Sequence, residues 1–140
     1  MENRGTMRLL LDTNIFLEII LDQEKSPDAK ALLSKGEENE FFISDYSLHS
    51  IGLLFFRLKQ HDVFRQFLMD MMINVGVIMI SLAVEDMETT INPARMFNLD
   101  FDDAYQYTPA EKYDLTLISF DNHFDRTARG RKTPAEIRKE

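Results

Sequence analysis

Three aspartates sit where a layered α/β fold would gather chemistry. Leu9-Leu10-Leu11 runs straight into Asp12-Thr13-Asn14, and Leu117-Ile118-Ser119-Phe120 runs into Asp121. Asp100, Asp102 and Asp103 crowd the start of a helical pattern just before that last apolar run. In an open parallel sheet, ligands collect at the carboxyl ends of the strands. Clustered carboxylates raise each other's pKa, so a site that gathers several is stabilised by a bound cation. Ligands that are all oxygen favour magnesium or manganese over zinc. Each acid also has a purely structural reading. Asp12 could cap the helix that follows it, Asp102 and Asp103 suit the first turn of a helix, and Asp121 suits a turn. Spacing alone leaves both readings open.

The elements that must position these acids follow from periodicity. Four apolar runs, Met7–Leu11, Glu40–Ser44, Val77–Ser81 and Leu115–Phe120, read as strands covered on both faces, because they are continuous rather than alternating. The stretches between them are too long for hairpins and carry helical spacing. Helices are expected over Asn14–Leu21, from Ser26-Pro27-Asp28 to Lys35, from Asp45 through the Ile51, Leu54, Phe55, Leu58 face, and beyond His61-Asp62. Further helices are expected from Val84 toward Arg95, with Pro93 near the end, and from Asp102 to Tyr113, with Pro109 kinking or splitting the last one. A short turn over Asp121–Arg129 and a helix opening at Thr133-Pro134-Ala135-Glu136 close the chain. Strands alternating with helices imply three layers around a central parallel sheet of four to five strands with right-handed crossovers. No repeat or linker divides residues 1–140, so they are expected to form one domain, with residues 1–6 as a frayed terminus.

Composition narrows the function further. Acidic residues outnumber basic ones 24 to 16 over 140 residues, a net charge of −8. That argues against gripping nucleic acid by bulk positive charge, though not against meeting phosphates through a divalent ion. There is no cysteine, which excludes disulfides and thiolate metal sites and suits a reducing cytoplasm. No apolar run is long enough to span a membrane, and residues 1–7 lack a signal-peptide core.

Arg8-Leu9-Leu10-Leu11-Asp12-Thr13-Asn14 resembles the opening motif of the PIN-domain nucleases. Leu99-Asp100-Phe101-Asp102-Asp103-Ala104 is similar to that family's third motif, an Asp followed by Ala at the start of a helix. Leu117 to Phe124 resembles its last motif, a strand running into Ser-x-Asp-x-x-Phe, and Thr133-Pro134-Ala135-Glu136 resembles the start of its closing helix. The ordered matches cover residues 8 to 138. The resemblance implies a PIN-like fold and metal-dependent endonucleolytic cleavage of RNA, as in the toxin half of a toxin–antitoxin pair. It implies Asp12, Asp103 and Asp121 as the catalytic, Mg²⁺- or Mn²⁺-binding acids, with Thr13, Asn14 and Ser119 supporting them. A divalent ion there would acidify water, orient it and neutralise charge on the phosphoryl oxygens. RNA, an antitoxin protein and a second copy of the chain are the implied partners.

One departure stands out. The family carries a glutamate in the helix after the second strand, and Ser50 occupies that point here. Asp45 or His49 could stand in for it, although Asp45 also reads as a helix cap and His49 as a packed or solvated side chain. The missing carboxylate supports a rival reading, a PIN-fold binding or regulatory module with weakened catalysis. A third reading, an aspartyl-phosphate enzyme or receiver, fits poorly: Asn14 stands where such a phosphatase has a second Asp, and Phe120-Asp121 offers no Lys where a receiver has one after its last strand. The stretch from Arg126 to Lys139, with Arg126, Arg129, Arg131, Lys132, Arg138 and Lys139, is the one basic region, either a solvated tail or a guide for RNA. Phe41-Phe42, Phe55-Phe56 and the methionines, notably Met69, Met71 and Met72, read as core, the methionines alternatively as a dimer face.

Overall fold

Leu9, Leu10 and Leu11 are all fully buried, yet they do not share a core. Leu9 and Leu11 pack with Phe41 and Ile43 on one side of the sheet, whereas Leu10 packs with Phe42 and Leu117 on the other. Successive side chains of a strand point to opposite faces, so a continuous apolar run feeds two layers at once.

The computed structural model describes residues 6–138. The chain runs through β1 (Met7–Leu11), α1 (Thr13–Ile20), α2 (Ser26–Leu33), β2 (Asn39–Ser44), α3 (Asp45–Arg57) and α4 (His61–Phe67). A π-helical stretch (Leu68–Val75), β3 (Ile78–Ile80), α5 (Val84–Thr89), α6 (Ile91–Phe97) and α7 (Phe101–Tyr113) follow. β4 (Thr116–Ile118), a 3-10 turn (Asn122–Arg126) and α8 (Pro134–Arg138) complete it. All strand pairs are parallel, in the order β3-β2-β1-β4. Residues of α1 to α4 and α8 fill the larger core on one face, and α6 and α7 fill the other. Among the described residues no helix is long and apolar enough to cross a membrane. The expected fraying of residues 1–6 lies, apart from Thr6, outside the described residues.

Several expectations are corrected. The four strands among the described residues agree with the expected four to five, but β3 is not covered on both faces. It pairs with β2 alone, and Ile78 and Met79 stay about half exposed, at 47% and 48%. Helix α7 passes through Pro109 unbroken. Proline removes a backbone hydrogen bond there, but Ala104 to Ala110 are all buried, and that packing overrides local propensity. The stretch expected as one helix from Val84 is two, α5 and α6. Pro93 lies in the first turn of α6, where backbone N–H groups have no intrahelical partner to lose. Phe56 is exposed, its ring edge-on to His61 at 4.6 Å, and Met69 is exposed while Met71 is buried.

Candidate metal centre

The parallel pairing of β1 with β4 puts Leu11 opposite Ile118, so the next residues of each strand, Asp12 and Ser119, emerge side by side. The Asp12 N–H continues the ladder to the Ile118 carbonyl at 2.9 Å. Ser119 Oγ donates to Asp12 Oδ2 at 2.7 Å. The other carboxylate oxygen accepts from Gln106 Nε2 and from the Thr13 N–H, both at 2.8 Å. Asp12 therefore caps α1, as its structural reading expects, and it also lines the acidic pocket. Gln106 is itself held: Nε2 also donates to Ser47 Oγ at 2.8 Å, and Oε1 accepts from Ser44 Oγ. Thr13 Oγ1 lies 2.7 Å from Ser47 Oγ. Burial pushes the Asp12 pKa up; hydrogen bonds from Gln106, Ser119 and Thr13 oppose the shift, and the Asp121 charge adds to it.

Asn14 secures the exit of β4. Its amide donates to Ser119 Oγ at 3.3 Å, and its carbonyl accepts from the Phe120 N–H at 3.2 Å. Ser119 Oγ also accepts from the Asp121 N–H at 2.9 Å, which turns Asp121 toward the same pocket. Across it, Asp100 caps α7 by accepting from the Asp103 N–H at 2.9 Å. His123 completes the rim: Nδ1 lies 3.1 Å from both Asp103 Oδ2 and Asp121 Oδ1. Ligand atoms of Asp103, Asp121 and His123 all fall within 4.8 Å of one another. The Asp103 pKa is raised, first by burial and then by the charges of Asp100 and Asp121, with His123 opposing. Asp12, Asp103 and Asp121 line one open pocket of about 330 Å³, together with Asn14, Tyr46 and Gln106.

The residues around the missing glutamate are placed differently. Ser44, not Asp45, caps α3, its Oγ accepting from the Ser47 N–H at 3.1 Å. Asp45 Oδ1 accepts from the Tyr46 N–H at 2.9 Å and from the Tyr105 hydroxyl at 2.8 Å. Asp45 and His49 line neighbouring grooves, one apolar with Leu53, Phe56 and Met79, the other with Phe101 and Tyr105. Ser50 is absent from the acidic pocket's lining; it flanks the hydroxyl of Tyr46, which does line that pocket and also meets Asp102. Burial pushes the Tyr46 phenol up, Ser50 opposes this and Asp102 adds to it.

In the basic stretch, Arg129 bonds Asp114 at 2.9 Å and the Leu115 carbonyl at 3.1 Å. Arg131 grips Asp125 through two nitrogens, at 2.9 and 3.2 Å, and the Ser119 carbonyl at 3.0 Å. Lys132 bridges to Ile118 through its backbone, and Arg126 is exposed. Gln106, Tyr46 and His123 were not singled out from the sequence. A glutamine facing inward from a helix has no pattern of its own, although His123 stood inside the quoted Asp121-to-Phe124 motif.

The sequence model of the PIN domain matches residues 9–130. This chain belongs to the PIN-domain family. Solved structures share its fold. The VapBC2 complex of Rickettsia felis, bound to a DNA fragment from its promoter, superposes with a TM-score of 0.72 at 16% identity, covering 90% of this chain and 97% of that one. A toxin–antitoxin complex from Klebsiella pneumoniae does so with a TM-score of 0.67 at 19% identity, covering 90% and 97%. VapC20 of Mycobacterium tuberculosis, a Sarcin-Ricin loop cleaving toxin, gives 0.66 at 16% identity, covering 81% and 89%. No curated protein sequence matches the chain. Asp12, Asp103 and Asp121 line one pocket in this PIN domain, and no carboxylate of α3 is part of that lining.

Proposed function

We propose that this PIN domain is a divalent-metal-dependent endoribonuclease, the toxin half of a toxin–antitoxin pair. The observation that carries the reading is the meeting of Asp103, Asp121 and His123 beside the buried Asp12 at the carboxyl ends of β1 and β4. The carboxylates suit Mg²⁺ or Mn²⁺: two on an open rim, with a third behind. Such an ion would supply a bound water more acidic than bulk water and positive charge for the phosphoryl oxygens. Asp103 and Asp121 hold the cation. Asp12, fixed by Ser119, Gln106 and Thr13, sets the back wall and the charge that draws the ion in. Without a cation, these acids repel the RNA backbone.

Arg126, at the exposed end of the 3-10 turn, and Lys132 supply the basic approach for RNA, while Arg129 and Arg131 brace β4 and the turn. The relatives from Rickettsia felis and Klebsiella pneumoniae were solved as toxin–antitoxin assemblies, which supports an antitoxin partner for this chain. A homodimer and a cytoplasmic location accord with that role. The test is RNA cleavage by the purified chain in Mg²⁺, in Mn²⁺ and in chelator, beside Asp103→Asn. Cleavage that survives chelator or the Asn variant overturns the reading.

A second reading, a PIN-fold binding or regulatory module, is favoured by the missing α3 carboxylate: Ser50 stands at the glutamate's point, and no acid of α3 lines the pocket. Calorimetry with Mn²⁺ discriminates: no uptake at millimolar metal favours the module.

A further inference from the structure

We infer that His123 is a direct ligand of the cation through Nδ1, and that this nitrogen makes the pocket take Mn²⁺ in preference to Mg²⁺. The inference rests on the metal-dependent reading above and adds to it a residue and a metal preference.

The distance from Nδ1 to each acid is close to that between adjacent ligands on one ion. Nδ1 lies 3.1 Å from Asp103 Oδ2 and 3.1 Å from Asp121 Oδ1. Octahedral bonds of about 2.0–2.1 Å put adjacent ligands about 2.9 Å apart. Among the described residues, the His123 ring has no hydrogen-bond partner besides these two acids.

The fold, not surface packing, places the ring. Its side chain is 52% exposed, so burial does not hold it. The turn that carries it is anchored by the fully buried Phe124. The His123 N–H donates to Asp121 Oδ1 at 2.9 Å, and Thr127 Oγ1 donates to the Phe124 carbonyl at 2.6 Å. Asp12 contrasts with this, because one of its oxygens already takes two donors and the other takes one. Fewer of its lone pairs are left for an ion, which moves the inner ligand set toward the rim.

Donor chemistry then sets the metal. Mg²⁺ takes oxygen ligands and keeps its water, whereas imidazole favours first-row transition ions. The rival account is that a protonated His123 merely neutralises the two acids when no cation is bound. The two accounts predict opposite effects of removing the ring.

The experiment titrates Mn²⁺ and Mg²⁺ separately into the full chain by calorimetry and records the electron spin-echo spectrum of the bound Mn²⁺. The expected spectrum carries modulation from a coordinated histidine nitrogen, kept in His49→Ala and lost in both His123→Ala and His123→Gln. His123→Ala should weaken Mn²⁺ at least ~10-fold, the lower end of what even outer partners of metal ligands command. Mg²⁺ binding should weaken by less than about threefold. Bound Mn²⁺ without nitrogen modulation in the unmodified chain overturns the inference and leaves the acidic site standing. Tighter Mn²⁺ binding in His123→Ala overturns it in favour of the counter-charge account. No Mn²⁺ uptake at all overturns both this inference and the metal-dependent reading.

Discussion

The two halves of the acidic pocket are built on opposite principles. At the back, Asp12 is 9% exposed, and both its oxygens are bonded to neutral donors from β4, α7 and the first residue of α1. At the rim, Asp103 and Asp121 share one half-exposed imidazole. A buried carboxylate whose hydrogen bonds are satisfied is fixed in place, because losing any donor leaves a charge unsolvated. A rim carboxylate can exchange its partner for an ion or water at little cost. The comparison teaches that one acid sets the shape of the site while the other two do the exchanging.

The largest expected effect strikes the back wall. Asp12→Asn should lower RNA cleavage by about 100-fold or more, the scale on which misplaced catalytic groups act. Its Oδ1 can still accept from Gln106 and the Thr13 N–H. Its new Nδ2 must donate to Ser119 Oγ, which already accepts from Asn14 and Asp121. That crowding opposes the gain from removing a buried charge, so the melting temperature should hold or rise slightly. Full activity in the Asn variant, measured on the same RNA with Mn²⁺, would remove Asp12 from the site.

Next in size is a pair of variants that contrasts the two halves directly. Gln106→Leu strips one donor from Asp12 and leaves Ser44 and Ser47 short of a partner. Urea unfolding should show a loss of about 1–3 kcal/mol. Asp103→Ala removes a rim charge that Asp100 and Asp121 already disfavour, and its unfolding midpoint should stay level or rise. Equal destabilisation by both variants would erase the distinction between wall and rim.

The wall and rim also differ in how much of them the sequence reveals. Apolar runs mark all four strands, and the acids that follow two of them could be placed at one end of the sheet by topology alone. Asp103 joined them through its place ahead of Ala104 in a motif-like stretch. Gln106 stayed hidden, because its role depends on which face of α7 meets β1, and the helix is so uniformly buried that periodicity does not single out that face. Tyr46 carries no signal of its own beside Ser50, the point where the family's pattern asks for an acid. β3 was misjudged because an edge strand and a central one can carry the same apolar run. Pro109 misled because local backbone chemistry speaks against a helix that tertiary packing imposes.

A smaller effect should appear with pH. Burial raises the folded-state pKa of Asp12 and Asp103 above the ordinary carboxylate value. The folded state then holds these protons more tightly than the unfolded one. Their stabilising contribution is complete below the ordinary value of about 4 and is lost as pH rises through the raised folded values. Metal-free protein should therefore melt higher at about pH 5 than at about pH 7. Asp86, Asp125 and Glu136 run the other way, their pKa values lowered by Lys112, Arg131 and the Thr133 N–H respectively. Their contribution is lost as pH falls below about 4, so the curve should turn over there. Mg²⁺ should flatten the rise by holding the acids ionised. A metal-free melting temperature that only falls between pH 7 and 5 would contradict the raised pair.

The smallest expected effect concerns Ser50, where the family places a glutamate. Ser50→Glu alone should change Mn²⁺ affinity by less than about threefold, well short of the 10–100-fold that a well-placed partner commands. The reason lies in Tyr46. Its phenol lines the acidic pocket and interacts with both Ser50 and Asp102, whereas Ser50 does not line that pocket. A glutamate at position 50 would meet the phenol before it met an ion held by Asp103 and Asp121. Clearing that path should expose the missing function. Tyr46→Ala combined with Ser50→Glu should bind Mn²⁺ about tenfold or more tighter than Tyr46→Ala alone. A gain already present in the single Ser50→Glu variant would show that the phenol yields readily and that the wall is open on the α3 side. No gain in the double variant would place α3 outside the reach of the cation, and the rim acids with His123 would then be the whole of the metal's protein ligands.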